Sequence, residues 1–105
     1  MLVLAGCGGG GGAAPQDAID VAISNTERPE AASTRISSEA EGDTATVTVT
    51  FEGLRDDSVR DERHVMTLER KGDPPKRGWR VIEDEVTYRC QPGRGHETFS
   101  PELCR

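Results

Sequence analysis

Residues 44–52 alternate without a break, reading Thr, Ala, Thr, Val, Thr, Val, Thr, Phe, Glu. Successive side chains of a strand point to opposite faces, so this stretch is predicted to be a strand with Ala45, Val47, Val49 and Phe51 on one side. Thr44, Thr46, Thr48 and Thr50 then face water. A sheet with one dry and one wet face is antiparallel, and its apolar side has to be covered by another layer.

The cover is predicted just upstream. From Pro15 to about Arg28, Ala18, Ile19, Ala22 and Ile23 fall at helical spacing, and Asp17 and Asp20 sit in the first turn, where they suit the helix dipole. Pro29 marks the stop. A weaker extended segment from Ser33 to Ala40 leads into Glu41, Gly42 and Asp43, a turn signal, and the acidic stretch from Arg55 to Glu62 reads as a connection. Arg63 to Lys71 is a third strand with His64, Met66 and Leu68 on one face, followed by a loop from Gly72 to Gly78. The last strand, Trp79 to Cys90, changes phase: its inward set is Trp79 and Val81, then Ile82, Val86, Tyr88 and Cys90. A β-bulge near Val81 to Glu83 accounts for that shift. Alternatively, both faces are partly covered there, by the helix on one side and the C-terminal loop on the other. The fold class is therefore α+β, one N-terminal helix on a curved four-stranded antiparallel sheet.

The chain has 105 residues, of which 33% are hydrophobic, with one Trp, one Tyr and two Phe. So thin a core calls for a further constraint. Cysteine supplies a candidate. There are three, and if Cys7 is set aside, Cys90 and Cys104 remain as a disulfide pair, which needs an oxidising compartment. Closing a loop of about 15 residues is worth about 3 kcal/mol in the chain-entropy model. The rival is a metal site of Cys90, His96 and Cys104 with His64 as a remote fourth ligand, which lacks the close ligand spacing of structural zinc sites. No metal or other cofactor is expected.

Cys7 is set aside for a reason. Leu4, Ala5, Gly6 and Cys7 read as the cleavage and lipidation box of a bacterial lipoprotein, and Gly8 to Gly12 with Ala13 and Ala14 read as a tether reaching on the order of 15 Å. Only Met1 to Leu4 precede the box, less than an export signal needs. Either the true start lies upstream or the match at Cys7 is accidental, and the glycine run and cysteine parity favour the first. The organisation expected is a signal remnant over 1–6, a lipidated cysteine and tether over 7–14, and one domain over 15–105. The net charge is −6, with acidic and basic residues interspersed and no cationic block, which argues against nucleic acid and against an electrostatic hold on anionic lipid. A membrane partner would be held through the lipid at Cys7.

Chemistry-bearing residues concentrate between Cys90 and Cys104, where Arg94, His96, Glu97 and Phe99 share one constrained loop, the candidate binding surface. The plainer reading is that Phe99 and Leu103 tuck under the sheet and the disulfide caps a small core. His64 with Asp61 and Glu62, or His96 with Glu97, can be drawn as acid–base pairs, but sequence neighbours on a strand point apart. Gly93 and Gly95 follow a strand and open no helix, so a phosphate loop fails its own context. Glu83, Asp84 and Glu85 are a charged solvent face unless carbonyls from elsewhere converge on them for calcium.

The stretch E-G-D-T-A-T-V-T-V-T-F at Glu41 to Phe51, and Leu68 to Val81 with its glycine turns and W-R-V ending, resemble the small cystatin-like or NTF2-like secreted lipoproteins of bacteria. The resemblance covers roughly residues 15 to 90 and implies a sheet wrapped on a helix and an outward-facing location on the cell envelope. NTF2-like enzymes set an acid–base pair, often Asp with His or Tyr, in a deep conical pocket, and this chain is short for such a cone. The expectation is a non-enzymatic binding or accessory module whose partner is an envelope protein or ligand. The alternative is a small NTF2-like hydrolase or isomerase with His64 or His96 as base.

Overall fold

A computed structural model describes residues 12–72 and 78–105. Helix α1 (Gln16–Ser24) is followed by strands β1 (Ala31–Glu41), β2 (Thr44–Leu54), β3 (Val59–Lys71) and β4 (Gly78–Cys90). The strands form one antiparallel sheet in the order β1-β2-β3-β4, each paired with its sequence neighbour. The expected layer of one helix on four antiparallel strands is present. No described helix is long and apolar enough to cross a membrane.

The alternation in β2 does what it predicts: Ala45, Val47, Val49 and Phe51 are buried beneath α1. Met66 and Leu68 of β3 and Trp79 of β4 join them, and Ala18 and Ala22 of the helix are fully buried. Alanines at the contact let a nine-residue helix lie close to the sheet, with β4 its main neighbour. The helix is shorter than expected. Thr26 turns the chain inward, its hydroxyl donating to the Ala22 carbonyl at 2.9 Å and lying 3.5 Å from the Met66 sulfur, so residues 25–30 cross back to β1 outside the helix.

One other expectation is sharpened and two need correction. The weak segment around Ser33 to Ala40 is a full strand of 11 residues, drawn into the sheet by pairing with β2 despite exposure on both faces. The presumed connection ends at Ser58. The Asp56 carboxylate accepts from the Ser58 and Val59 amides at 2.8 Å, which shapes the turn and holds that carboxyl below its ordinary range, and β3 starts at once. Ile82, expected inward, is half exposed. The register explains it: Thr67 faces Glu83 while Leu68 faces Val81, so Ile82 is the extra residue of a bulge at the expected place.

The sheet has two distinct ends. At one, β1 turns into β2 through Gly42, whose φ of 61° suits a glycine. There Gly12 and Ala40 exchange two backbone hydrogen bonds, and the Ala14 amide donates to the Ser38 hydroxyl. At the other end β4 runs into the Cys90–Cys104 disulfide.

Candidate functional site

Residues 91–105 fold back along the outer edge of β4. Tyr88 and Ser100 exchange two backbone hydrogen bonds, and the Cys90 amide donates to the His96 carbonyl at 2.9 Å. The loop thus pairs with a strand edge that would otherwise leave backbone groups open. Gly95 is required where the loop closes, because its φ is 135° and a Cβ would meet the Cys90 sulfur at 3.2 Å.

The fold-back carries Phe99 onto the wet face of the sheet. The Arg63 and Arg89 guanidinium carbons lie 3.9 and 4.6 Å from its ring centroid, an arrangement favoured by the negative face of the ring. Each arginine is fixed in turn. Arg63 donates to the Thr50 hydroxyl at 3.1 Å, and Arg89 donates to Asp61 at 2.7 Å. The other Asp61 oxygen accepts from the Gly53 amide at 3.0 Å, and Arg60 adds a bond of 3.2 Å. The Asp61 side chain is only 4% exposed. Burial pushes its carboxyl up, but the bonds from Arg89, Gly53 and Arg60 outweigh that and hold it below the ordinary carboxylate range. Thr50, expected in water, is buried by this cover.

His96 pins the loop. Its Nδ1 lies 2.8 Å from the Thr98 carbonyl and its Nε2 2.8 Å from the Glu102 carbonyl. Carbonyls only accept, so both contacts are hydrogen bonds only when the ring carries two protons, and the Glu102 and Thr98 carbonyls raise its pKa above the ordinary histidine value. Cys90, His96 and Cys104 do converge, with ligand atoms within 4.8 Å of one another. The two sulfurs are bonded to each other, however, and both ring nitrogens of His96 already face backbone carbonyls. Arg94 and Glu97 are exposed; Arg94 contacts the Arg105 carbonyl at 3.4 Å. Leu103, expected beneath the sheet, is 81% exposed. Cys7 lies outside the described residues.

The second histidine is on the opposite, helix-covered face. His64 Nε2 is 2.7 Å from Glu62 Oε2, Nδ1 is 3.2 Å from Asp84 Oδ1, and the ring meets Phe51 edge-on. Asp61, its sequence neighbour on the other face, takes no part. Glu62 is two residues away on the same face, and Asp84 is brought in by strand pairing past the bulge. With both nitrogens engaged and only 11% of its side chain exposed, His64 ties β3 to β4. It lines none of the clefts near the helix end, whose walls are Arg28, Pro29 and Glu62, or Ile23, Thr34 and Ile36.

Sequence reading placed Phe99 and His96 in one closed loop but missed Arg63, Arg89 and Asp61, which hold it. No motif marks them, because they meet only through register and the fold-back. No family model, curated protein or solved structure matches the chain.

Proposed function

We propose that the protein is a lipid-anchored, non-enzymatic binding module of the bacterial envelope, attached through Cys7 and presenting the Cys90–Cys104 loop to an envelope partner. The carrying observation is the opposition of the two ends. Gly12 joins the sheet beside Ala40, in the row Ala45, Leu68, Val81, while the closed loop begins at Cys90. The distance along β4 from Val81 to Cys90 is roughly 30 Å at the rise of a strand. A chain tethered at its N-terminal end would carry the loop away from the bilayer, with Arg94 and Glu97 outward and already ordered, which lowers the entropy cost of binding. The layer of one helix on a four-stranded meander is compatible with the cystatin-like or NTF2-like type.

The alternative, a small hydrolase or isomerase, has less support. Each histidine has both ring nitrogens occupied by protein oxygens, which leaves neither in position to take a proton from a substrate.

The test is fractionation in a bacterial host of the chain expressed with its native upstream sequence, beside a Cys7→Ala variant. The expected result is a membrane-bound species carrying diacylglyceryl mass on Cys7, and a variant released from the membrane. Identical fractionation of the two would overturn the anchor.

A further inference from the structure

The two outer edges of the sheet are finished differently. On β4 the C-terminal loop covers Tyr88 and Cys90, the bulge at Ile82 breaks the regular ladder, and Glu83, Asp84 and Glu85 add charge. These are the usual protections of an open edge. On β1, among the described residues, only the part near Ala40 is covered, by Gly12. Because Ala40 turns both backbone groups outward to Gly12, residues of the same parity in the unbroken ladder do so too, so Thr34 and Ile36 present amides and carbonyls away from β2. All residues from 32 to 37 are exposed, residues 33–37 have no proline and pair with β2 in unbroken register, and Arg35 is the one charge of the stretch. That is an edge prepared for another strand.

Two features beside it specify which strand. Along the helix-side face of the edge Ile36 is 46% exposed, beside a crevice of about 10 Å³ between Ile23, Thr26, Thr34 and Phe51 that is too small to take a side chain. At the N-terminal end of β1 a groove of about 420 Å³ is lined by Arg28, Glu30, Ala32 and Arg55. The side chains of Arg28 and Arg55 make no hydrogen bond or ion pair among the described residues, although the protein carries a net charge of −6. With Glu30 counted, the groove keeps one positive charge in excess.

We propose that the free edge of β1 binds an extended peptide as a fifth, antiparallel strand, with an apolar side chain laid against the exposed Ile36 and its C-terminal carboxylate at Arg28 and Arg55. Direction follows from charge. An antiparallel strand starts near Ile36 and ends near Ala32, which delivers its C-terminus to the two guanidiniums. A parallel strand would bring an ammonium group there instead. The backbone bonds supply affinity, alternate side chains supply selectivity, and an arginine pair suits a carboxylate. The site is separate from the disulfide loop and does not depend on the anchor.

The experiment uses the full oxidised chain and a synthetic heptapeptide library with free C-terminal carboxylates, read by enrichment and then by fluorescence anisotropy of the selected peptides. The expected result is a selected family with apolar residues at alternate positions. Amidation of its C-terminus, or the Arg28→Ala/Arg55→Ala double variant, should weaken binding by about tenfold or more. Thr34→Pro is the decisive variant. It removes an outward amide not used by the fold, which an edge strand tolerates, so binding should vanish while the circular dichroism spectrum and thermal midpoint are retained. Two results would overturn the assignment: no enrichment over Thr34→Pro, or equal affinity for acid and amide. Concentration-dependent dimerisation abolished by Thr34→Pro, without peptide binding, would assign the edge to a second copy and overturn it as well. Should Thr34→Pro unfold, the amide comparison and the two surface arginines still decide.

Discussion

The two halves of the sheet are closed by different physics. Near the β1–β2 turn, Ala18, Ala22, Ala45, Met66, Leu68 and Trp79 make a dry contact whose only requirement is apolar side chains at the right period. Near the disulfide, cohesion comes from Asp61 under three donors, Phe99 against two arginines, and His64 between two carboxylates. The first half is close-packed and indifferent to pH. The second depends on charge states and on one covalent bond, and it is the half in which the candidate loop sits.

The sharpest way to test this division is to damage each half separately. Leu68→Ala empties a fully buried site against Ala45 and Val81 and is expected to cost roughly 3–5 kcal/mol, measured by urea unfolding. In a domain of this size that removes a large part of the total stability and should act on both halves together, since they share one sheet. A loss below about 1 kcal/mol would mean that the dry half is not what closes the domain.

Opening the disulfide is expected to have the next largest effect, and a more local one. The Cys90→Ser/Cys104→Ser variant releases a loop with a sequence separation of 14, worth about 3 kcal/mol in the chain-entropy model. Exchange protection should fall first at the Tyr88 and Cys90 amides, which bond to Ser100 and His96, and last at β2. Uniform loss across the sheet would show that the halves are one cooperative unit.

The division also explains what the sequence made legible. The dry half was visible because periodicity alone specifies it: β2, the inward face of β3 and the bulge near Ile82 follow from alternation and its break. β1 was blurred because six consecutive exposed residues carry no periodic signal. In the second half, composition identified the closed loop, but its partners are not local. Arg63 reaches Phe99 across 36 positions of chain, and Asp84 reaches His64 only because a bulge resets the register. Thr50 was misjudged for the same reason: a polar residue at a solvent position is buried when a distant loop folds over it.

The smallest expected effect separates the halves most cleanly, because it needs no large change in stability. Asp61 has a lowered folded pKa, so its contribution is present above the ordinary aspartate value near 3.9 and is lost as pH falls through the folded value below it. His96 has a raised folded pKa, so its contribution is complete below the unfolded value near 6.5 and is lost as pH rises through the folded value above it. The charged half should therefore be held best between those limits and loosen on both sides. Followed by NMR, the Gly53 amide, which donates to Asp61, should respond on the acid limb, and the Cys90 and Ser100 amides on the alkaline limb, while Leu68 and Val47 stay flat. Asp61→Asn should remove the acid limb alone and His96→Gln the alkaline limb alone. A Leu68 signal that titrates in step with Ser100 would mean that the charges act on the whole sheet, and the division between a packed half and a charged half would not stand.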